Sequence, residues 1–524
     1  MSRLPIVLCA SFSIFVGGVA TASDFVDTRI TFTVGDDSFT KSAGEQVPDS
    51  PRLGIGDREG FQLFFDGLNQ RTTGRENQLD LVLYKKMAGI LPGLTAEASA
   101  AVLLNLEELA AQDPKLKNAL KDDSSYIRLI YALDRARKGT KALDLVLFPL
   151  SGDRFRVGYL YALTWGGTDM FPRRSGPTPG FKLGGNFERW YWWAGMKMVR
   201  AETAPADSQD ISGQTIQTSN METFYSALAG AGVTPIKGLS IDLNGAYVQM
   251  GQNFIKDVAG KLVTATGLSG RVAYGHGLSV ALSADLRLLR NDAEYRELLS
   301  RRPVYKADNS FNFSVSLEGN AIAQVLADQS RFGATARQWA SGAAFDLRLQ
   351  RNYLRLNATV LMRSLEFILL NTPSFVPFQS LPPEANVKPE IFAALSADYH
   401  FPRIGLTPGI QAGLELPAAF TTELTGTVMG STDPTPISIG RHSIIIRANG
   451  RPDILPQDKD RAPLFSVRLS TQWWAASFLN LVAFAFITYD KNSTILVVNP
   501  DLTRSRVFEA PTRFGAGLVA QARF

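Results

Sequence analysis

The chain has 524 residues, and its 54 lysines and arginines against 49 acids leave a formal net charge of only +5. So small an excess over this length argues against nucleic acid as a partner. With 45% hydrophobic residues and one cysteine, Cys9, there is no disulfide framework and no thiolate metal site to order the fold. Beyond the first 22 residues no uninterrupted apolar run reaches the roughly 20 residues that a membrane helix needs.

The N-terminus reads as an export signal. Arg3 is a short basic region, Leu4 to Val19 is apolar apart from serines and glycines, and Ala20-Thr21-Ala22 is a small-residue cleavage site. Pro5 and Gly17-Gly18 interrupt the run and no basic cluster follows it, which disfavours a permanent anchor. Cys9 lies inside the apolar run behind Leu8, so a lipoprotein is not expected. Residues 1–22 are therefore a predicted cleaved signal peptide, and 23–524 a single domain without cysteine.

From there the chain alternates. Asp27 to Val34 and Gln78 to Met87 are the first candidate strands. Between them, 35–77 carries acids, bases and Phe61, Leu63, Phe64 and Phe65, and is the candidate for a loop folded into a lumen. Thr95 to Leu106, Glu222 to Pro235 and Tyr353 to Leu370 are long enough to cross a bilayer as strands. In Arg154 to Trp165, Phe155, Val157, Tyr159, Tyr161, Leu163 and Trp165 share one face, opposite Arg154 and Arg156. In Leu278 to Leu288 the apolar parity opposes Ser279, Ser283, Asp285 and Arg287. Phe311, Phe313, Val315 and Leu317 oppose Asn312, Ser314, Ser316 and Glu318. Phe465, Val467 and Leu469 oppose Ser466, Arg468 and Ser470. The chain ends on Arg513 to Phe524, where Phe514, Ala516, Leu518, Ala520, Ala522 and Phe524 oppose two glycines, Gln521 and Arg523.

One greasy and one polar face per strand, over strands of this length, predict an all-β protein. The expected form is a transmembrane antiparallel up-and-down β-barrel of about 18 strands (range about 16–20) with long extracellular loops. Pro92-Gly93, Lys138-Gly139, Lys237-Gly238 and Gly275-His276-Gly277 are expected turns. Longer connections are expected near 109–123, 200–220, 291–309, 371–388, 419–441 and 492–507. The connections at 135–141 and 150–153 are consecutive and both short, which breaks the expected alternation of short turns with long loops. Trp165, Trp190, Trp192, Trp193 and Trp473 fall at run ends, where aromatic girdles meet the two membrane interfaces.

The less apolar parity is expected to line the lumen. It carries Arg154, Arg156, Arg271, Arg287, Arg348, Arg355, Arg363 and Arg468, with Asp285 and Asp346 among its acids. Over the whole lining set bases exceed acids by about three, and rings of arginine bias a pore toward anions. The same residues, two apart on a face as in Asp285/Arg287 and Asp346/Arg348, can instead pair across strands to satisfy a polar interior.

The terminal strand closing on Phe524 resembles the signature by which Gram-negative outer-membrane β-barrels are recognised and inserted. Together with the signal peptide, the long alternating strands and inward Arg271, Arg287, Arg355 and Arg363, the chain is similar to outer-membrane channels of the porin and alginate-export type. That resemblance implies a cell outer-membrane location among membrane lipid, and insertion by the barrel-assembly machinery. It also implies passage of small polar or anionic solutes and no cofactor. The alternative is a non-conducting surface barrel: a scaffold, an adhesion protein, or the outer-membrane part of a secretion or motility machine with a periplasmic partner.

Catalysis is not expected. His442 and Ser443 are adjacent and so face opposite ways on a strand, and His276 and His400 lie in other regions. Gly54 to Gly60 has its last glycine one residue late for a dinucleotide loop. Asp36-Asp37, Asp122-Asp123 and Asp458/Asp460 lack the spacing of a calcium loop. No metal site is expected.

Overall fold

A computed structural model describes residues 27–40, 75–110, 119–122, 124–134, 141–171, 176, 178–203, 206–209, 215–218, 220–278, 309–372, 378–383, 385–427, 436–446, 452–498 and 504–523. The expected signal peptide, Asp285, Arg287, Phe524 and most of the 35–77 connection lie outside these residues.

Eighteen strands form the wall: β1 (Asp27–Asp36), β2 (Arg75–Ala88), β3 (Leu94–Asn105), β4 (Tyr126–Ala132), β5 (Ala142–Phe148), β6 (Gly180–Asn186), β7 (Trp190–Glu202), β8 (Met221–Val233), β9 (Leu239–Gln252), β10 (Leu262–His276), β11 (Phe311–Ala327), β12 (Thr335–Arg351), β13 (Leu354–Arg363), β14 (Glu390–Tyr399), β15 (Leu406–Leu416), β16 (Leu464–Trp474), β17 (Leu479–Tyr489) and β18 (Thr512–Arg523). They belong to a sheet of 19 strands, of which Leu120–Asp122 is only a spur on β3 at Val102–Leu104, leaving 18 staves. Each stave pairs antiparallel with its sequence neighbour. β1 closes the ring on β18, from Arg29 opposite Arg523 to Asp36 opposite Ala516.

The alternation in sequence becomes an alternation of faces. On β9, Ser240, Asp242 and Asn244 are buried inward while Ile241 and Leu243 are exposed outward. The outer surface shows Leu268, Leu317, Trp339, Leu395 and Leu469, each more than half exposed. A continuous apolar exterior on a closed sheet is a lipid face. The two smallest residues of β18 face inward for a packing reason. Gly515 and Gly517 lie under the rings of Phe486 and Phe484 on β17, and a side chain at either position would strike the ring. Arg468 of β16 covers the other side of Phe484 at 4.0 Å from the ring centroid.

Wall height is uneven. β4, β5 and β6 have 7 residues each, whereas β11 and β12 have 17. Pro149 follows β5 and Pro179 precedes β6, and proline cannot donate to a ladder, so the chain leaves the wall there. Residues 149–171 of the connection between β5 and β6 fold into the lumen instead of standing outside it. Arg154 to Trp165 is therefore not a strand. Residues of both parities in it are buried, and its only β-pairing among the described residues is the bridge Val157–Trp165. This also removes the irregular succession of two short connections near 135–141 and 150–153.

At the loop end, helix Leu365–Leu370 is capped by Ser364, whose hydroxyl accepts from the Phe367 amide at 3.2 Å. Its Leu365, Ile368 and Leu369 pack on Ala418 and on Phe420, Ile444 and Ile446 of the four-stranded sheet that Ala418 leads into, built from Asn386–Lys388, Ala419–Thr427, Pro436–Ile446 and Pro452–Ile454. Phe367 and Leu370 turn the other way, into the core inside the barrel.

Replacing Gly517 by valine forces the Phe484 ring off its seat. The expected loss is about 1–3 kcal/mol, seen as a lower urea midpoint for the gel-mobility shift between folded and unfolded barrel. An unchanged midpoint would show that the ring moves aside freely.

Candidate functional site

The inserted segment 149–171 makes the site. It enters over the short staves β5 and β6 and crosses the lumen as a chord. At its root, Phe155 stacks on Phe148 at 5.6 Å and meets Trp193 edge-on at 5.5 Å. The Arg154 amide donates to Ser124 Oγ at 2.9 Å. Trp165 Nε1 donates to Ser269 Oγ on β10 at 2.9 Å, and Lys197 Nζ of β7 donates to the carbonyls of Gly166 and Gly152. Met170, Phe171, Val248, Met250, Val263, Ile322 and Leu326 complete an apolar core inside the barrel, on its loop side.

Polar groups on the far wall hold the tip. Glu318, on β11 and 4% exposed, accepts from two successive amides, Tyr159 N at 2.8 Å and Leu160 N at 2.6 Å. Asn320 Nδ2 donates to Leu163 O at 2.8 Å, and Arg363 Nη1 to Ala162 O at 3.2 Å. Leu160, Ala162 and Leu163 pack on Ala344, Leu361, Phe392 and Ala394 of β12–β14. Arg271 lies 4.2 Å over the Tyr159 ring while its Nη2 reaches Asp242 at 2.7 Å. Tyr191 and Ser240 donate to the same Asp242 carboxylate, each at 2.7 Å.

The chord separates two kinds of ion pair. Behind it, Arg128, Asp144 and Lys182 form a buried cluster across β4–β6, with Arg128 to Asp144 at 3.2 Å and Lys182 to Asp144 at 3.0 Å. Glu97 of β3 lies 3.9 Å from Arg128. No side chain in this cluster is more than 3% exposed, and Arg271–Asp242 is as dry. On β12–β14 two pairs are partly open to solvent. Asp346–Arg348 at 3.2 Å has side chains 14% and 22% exposed, and Arg355–Asp398 at 2.9 Å has 22% and 18%. Arg363–Glu390, a bidentate pair reaching 2.7 Å, sits at the loop end of the same wall. The tip thus lies between this upper pair and a lower stripe near the short-turn ends of β12–β14.

The sequence-predicted lining residues divide accordingly. Arg348, Arg355, Arg363 and Asp346 meet on one wall beside the tip, and Arg271 flanks them under Tyr159. Arg468 lies further round, on Phe484. Arg154 and Arg156 belong to the chord, 2% and 4% exposed, because the segment that carries them is not a stave. The tryptophans also divide. Trp190 and Trp473 are 49% and 45% exposed on the outer face, beside short turns; Trp192 is half-buried with the same parity. Trp165 and Trp193 are buried at 0% and 1% and are not membrane-interface residues: one is on the chord, and the other points inward to pack on Phe155. Sequence reading missed Glu318 as the clamp of the tip; it placed this residue inward but offered no partner for it. His442 Nδ1 donates to Leu455 O at 2.8 Å and Ser443 Oγ donates to Asp460 at 3.5 Å, so the two turn to different partners.

No family model matches the chain, and no curated protein matches it in sequence. Among solved structures it is similar in shape to Pseudomonas aeruginosa OccK3 (OpdO), with 7% identity, a TM-score of 0.43 and coverage of 96% of each chain. It is similar to Acinetobacter baumannii OccAB2 at 9% identity and TM-score 0.42, covering 97% of this chain and 99% of that one. P. aeruginosa OccK2 (OpdF), solved in complex with glucuronate, is similar at 9% and 0.42, covering 95% and 98%. The fold stands on the strand pairing of this chain itself.

Replacing Glu318 by alanine orphans two buried amides, at about 1–3 kcal/mol each. Hydrogen exchange at Tyr159 and Leu160 should accelerate by at least about tenfold while the wall amides stay protected; unchanged protection there would show that Glu318 is not the clamp. The chord root responds to acid. Burial raises the pKa of Asp153, but Arg156, Lys197 and bonds from Thr168 N (2.5 Å) and Oγ1 (2.6 Å) outweigh it and hold the carboxyl below its ordinary value of 3.8. Its stabilisation is therefore full above the unfolded pKa and is lost as pH falls through the lowered folded one. Exchange at the Thr168 amide, corrected for intrinsic rate, should be flat from neutral pH to about 5 and rise only below about 4.

Proposed function

We propose that the protein is an outer-membrane channel through which small polar solutes, anionic ones among them, pass beside the chord. One observation carries the reading: the Asp346–Arg348 and Arg355–Asp398 pairs of β12–β14 are partly open to solvent, whereas Arg128, Asp144 and Lys182 behind the chord are dry. Eighteen staves enclose a bore too wide for wall side chains to fill. The chord and its core occupy one side of that bore, and the arginine-bearing wall faces what is left. Arginines there suit carboxylate or phosphate groups through their planar fork, and the close-packed tip limits solute size.

The lipid face fits an outer-membrane bilayer, and short turns at one end with long connections at the other fit insertion with the loops outward. The length of chain between β10 and β11 departs from that pattern, since these staves are joined at the short-turn end.

Refolded full-length mature protein in a planar bilayer should give stable single-channel steps. Exchanging residues 158–164 for a flexible linker of equal length should raise the conductance by at least about twofold. Equal conductance with and without the tip would remove the chord as the constriction. Silence from a barrel shown to be folded by its gel mobility would favour the scaffold reading, with partners sought at the loop end.

A further inference from the structure

We infer that the recess under the chord tip selects zwitterions: small solutes bearing an ammonium and a carboxylate a few bonds apart, in preference to simple anions of the same size. The inference rests on the channel reading and names the solute class of that site. The recess is lined by Tyr159, Leu160, Ser316, Glu318, Asp346 and Arg348. Arg271 also borders it, but its charge is engaged by Asp242 in a pair whose side chains are 1% and 0% exposed.

The charges that a solute meets are therefore those of Asp346 and Arg348. They sit two apart on the inward face of β12, where successive same-face residues are about 6.6–6.8 Å apart. Arg348 Nε donates to Asp346 Oδ1 at 3.2 Å, and Thr359 holds the other carboxylate oxygen at 2.8 Å. One stave further, Arg355 lies directly opposite Asp398 in register and donates to it at 2.9 Å. Arg348 and Arg355 thus each have a partly exposed carboxylate of their own. A ring of bases would gather anions, but a row of neutral pairs has no net charge to do so.

The pairing then sets the preference. An anion that reaches Arg348 comes within range of Asp346, and of Glu318 behind it, so attraction and repulsion nearly cancel. A cation at Asp346 meets Arg348 in the same way. A zwitterion lays its carboxylate on Arg348 and its ammonium on Asp346, exchanging one internal ion pair for two with the solute. Both wall groups remain neutralised throughout, and neither end of the solute has to face a like charge.

The test uses the full mature protein in liposomes with three isosteric solutes: β-alanine, 3-hydroxypropionate and 3-aminopropanol. Protein-free liposomes correct for leak, and chloride and potassium conductance is measured in parallel. Support would be β-alanine entering at least about threefold faster than either singly charged analogue, with little selectivity between potassium and chloride. Asp346→Asn should then abolish that advantage and turn the pore toward chloride; Arg348→Gln should abolish it and turn the pore toward potassium. The opposite shifts separate a charge effect from misfolding, which would lower all fluxes together and is checked by gel mobility. Entry of 3-hydroxypropionate or 3-aminopropanol as fast as that of β-alanine, with conductance present, would overturn the zwitterion inference and leave the channel standing. Absence of all conductance and flux from folded barrel would overturn the channel, and the inference with it.

Discussion

A sheet edge in hydrocarbon leaves a row of N–H and C=O groups with no partner, each costing several kcal/mol. Pairing β1 with β18 removes the only two edges this wall would have, so the whole structure depends on the two ends of the chain finding each other. The eight residue pairs from Arg29–Arg523 to Asp36–Ala516 complete the ladder. On the other side of β18, the Phe484 and Phe486 rings of β17 reach over Gly515 and Gly517, so the last strand is packed on β17 as well as hydrogen-bonded to β1. An aromatic over a strand glycine covers backbone that would otherwise be bare and helps pin the register.

Closure creates the next problem. A ring of 18 staves encloses more space than its own side chains can fill, and the chain fills part of it with a second hydrophobic core inside the barrel. The low wall at β4–β6 provides the entry, and Phe148, Phe155, Trp165 and Trp193 provide the packing. The tip then has to end somewhere dry without stranding its backbone. Glu318, Asn320 and Arg363 meet this need by taking up two amides and two carbonyls of the segment 159–163. Apolar burial at the root and hydrogen bonds at the tip together make the chord a fixed partition.

The barrel was legible in the sequence wherever one face is greasy and the other polar, as at Phe311–Glu318 and Phe465–Ser470. The alternation there is imposed by lipid on one side and water on the other. It misled where that contrast fails. On the loop side of β9–β11 the inward residues Val248, Met250, Val263, Ile322 and Leu326 are apolar because they face the chord, so polarity alone does not identify the lumen. Phe155 to Trp165 alternates as a strand does, yet its apolar parity serves the inner core, and Arg154 and Arg156 are buried with it. Pro149 and Pro179 were the available signal, two ladder-breakers bracketing a stretch too long for a turn. Long-range partners such as Glu318 with Tyr159 have no local signature at all. The expected excess of lumen arginines is likewise a statement about composition, and composition says nothing of the carboxylate that each arginine meets.

That last point separates the two sets of ion pairs by physics. Arg128, Asp144 and Lys182 have no water to exchange with, and removing one partner would leave a buried charge at a cost of about 3–5 kcal/mol; such pairs hold the wall to the core. Asp346–Arg348 and Arg355–Asp398 keep part of their surface open to solvent, so they are screened more than the dry pairs. A weak, wet pair can open and re-form at small cost as a solute goes by. A dry one cannot, and a site that must both bind and release needs the first kind.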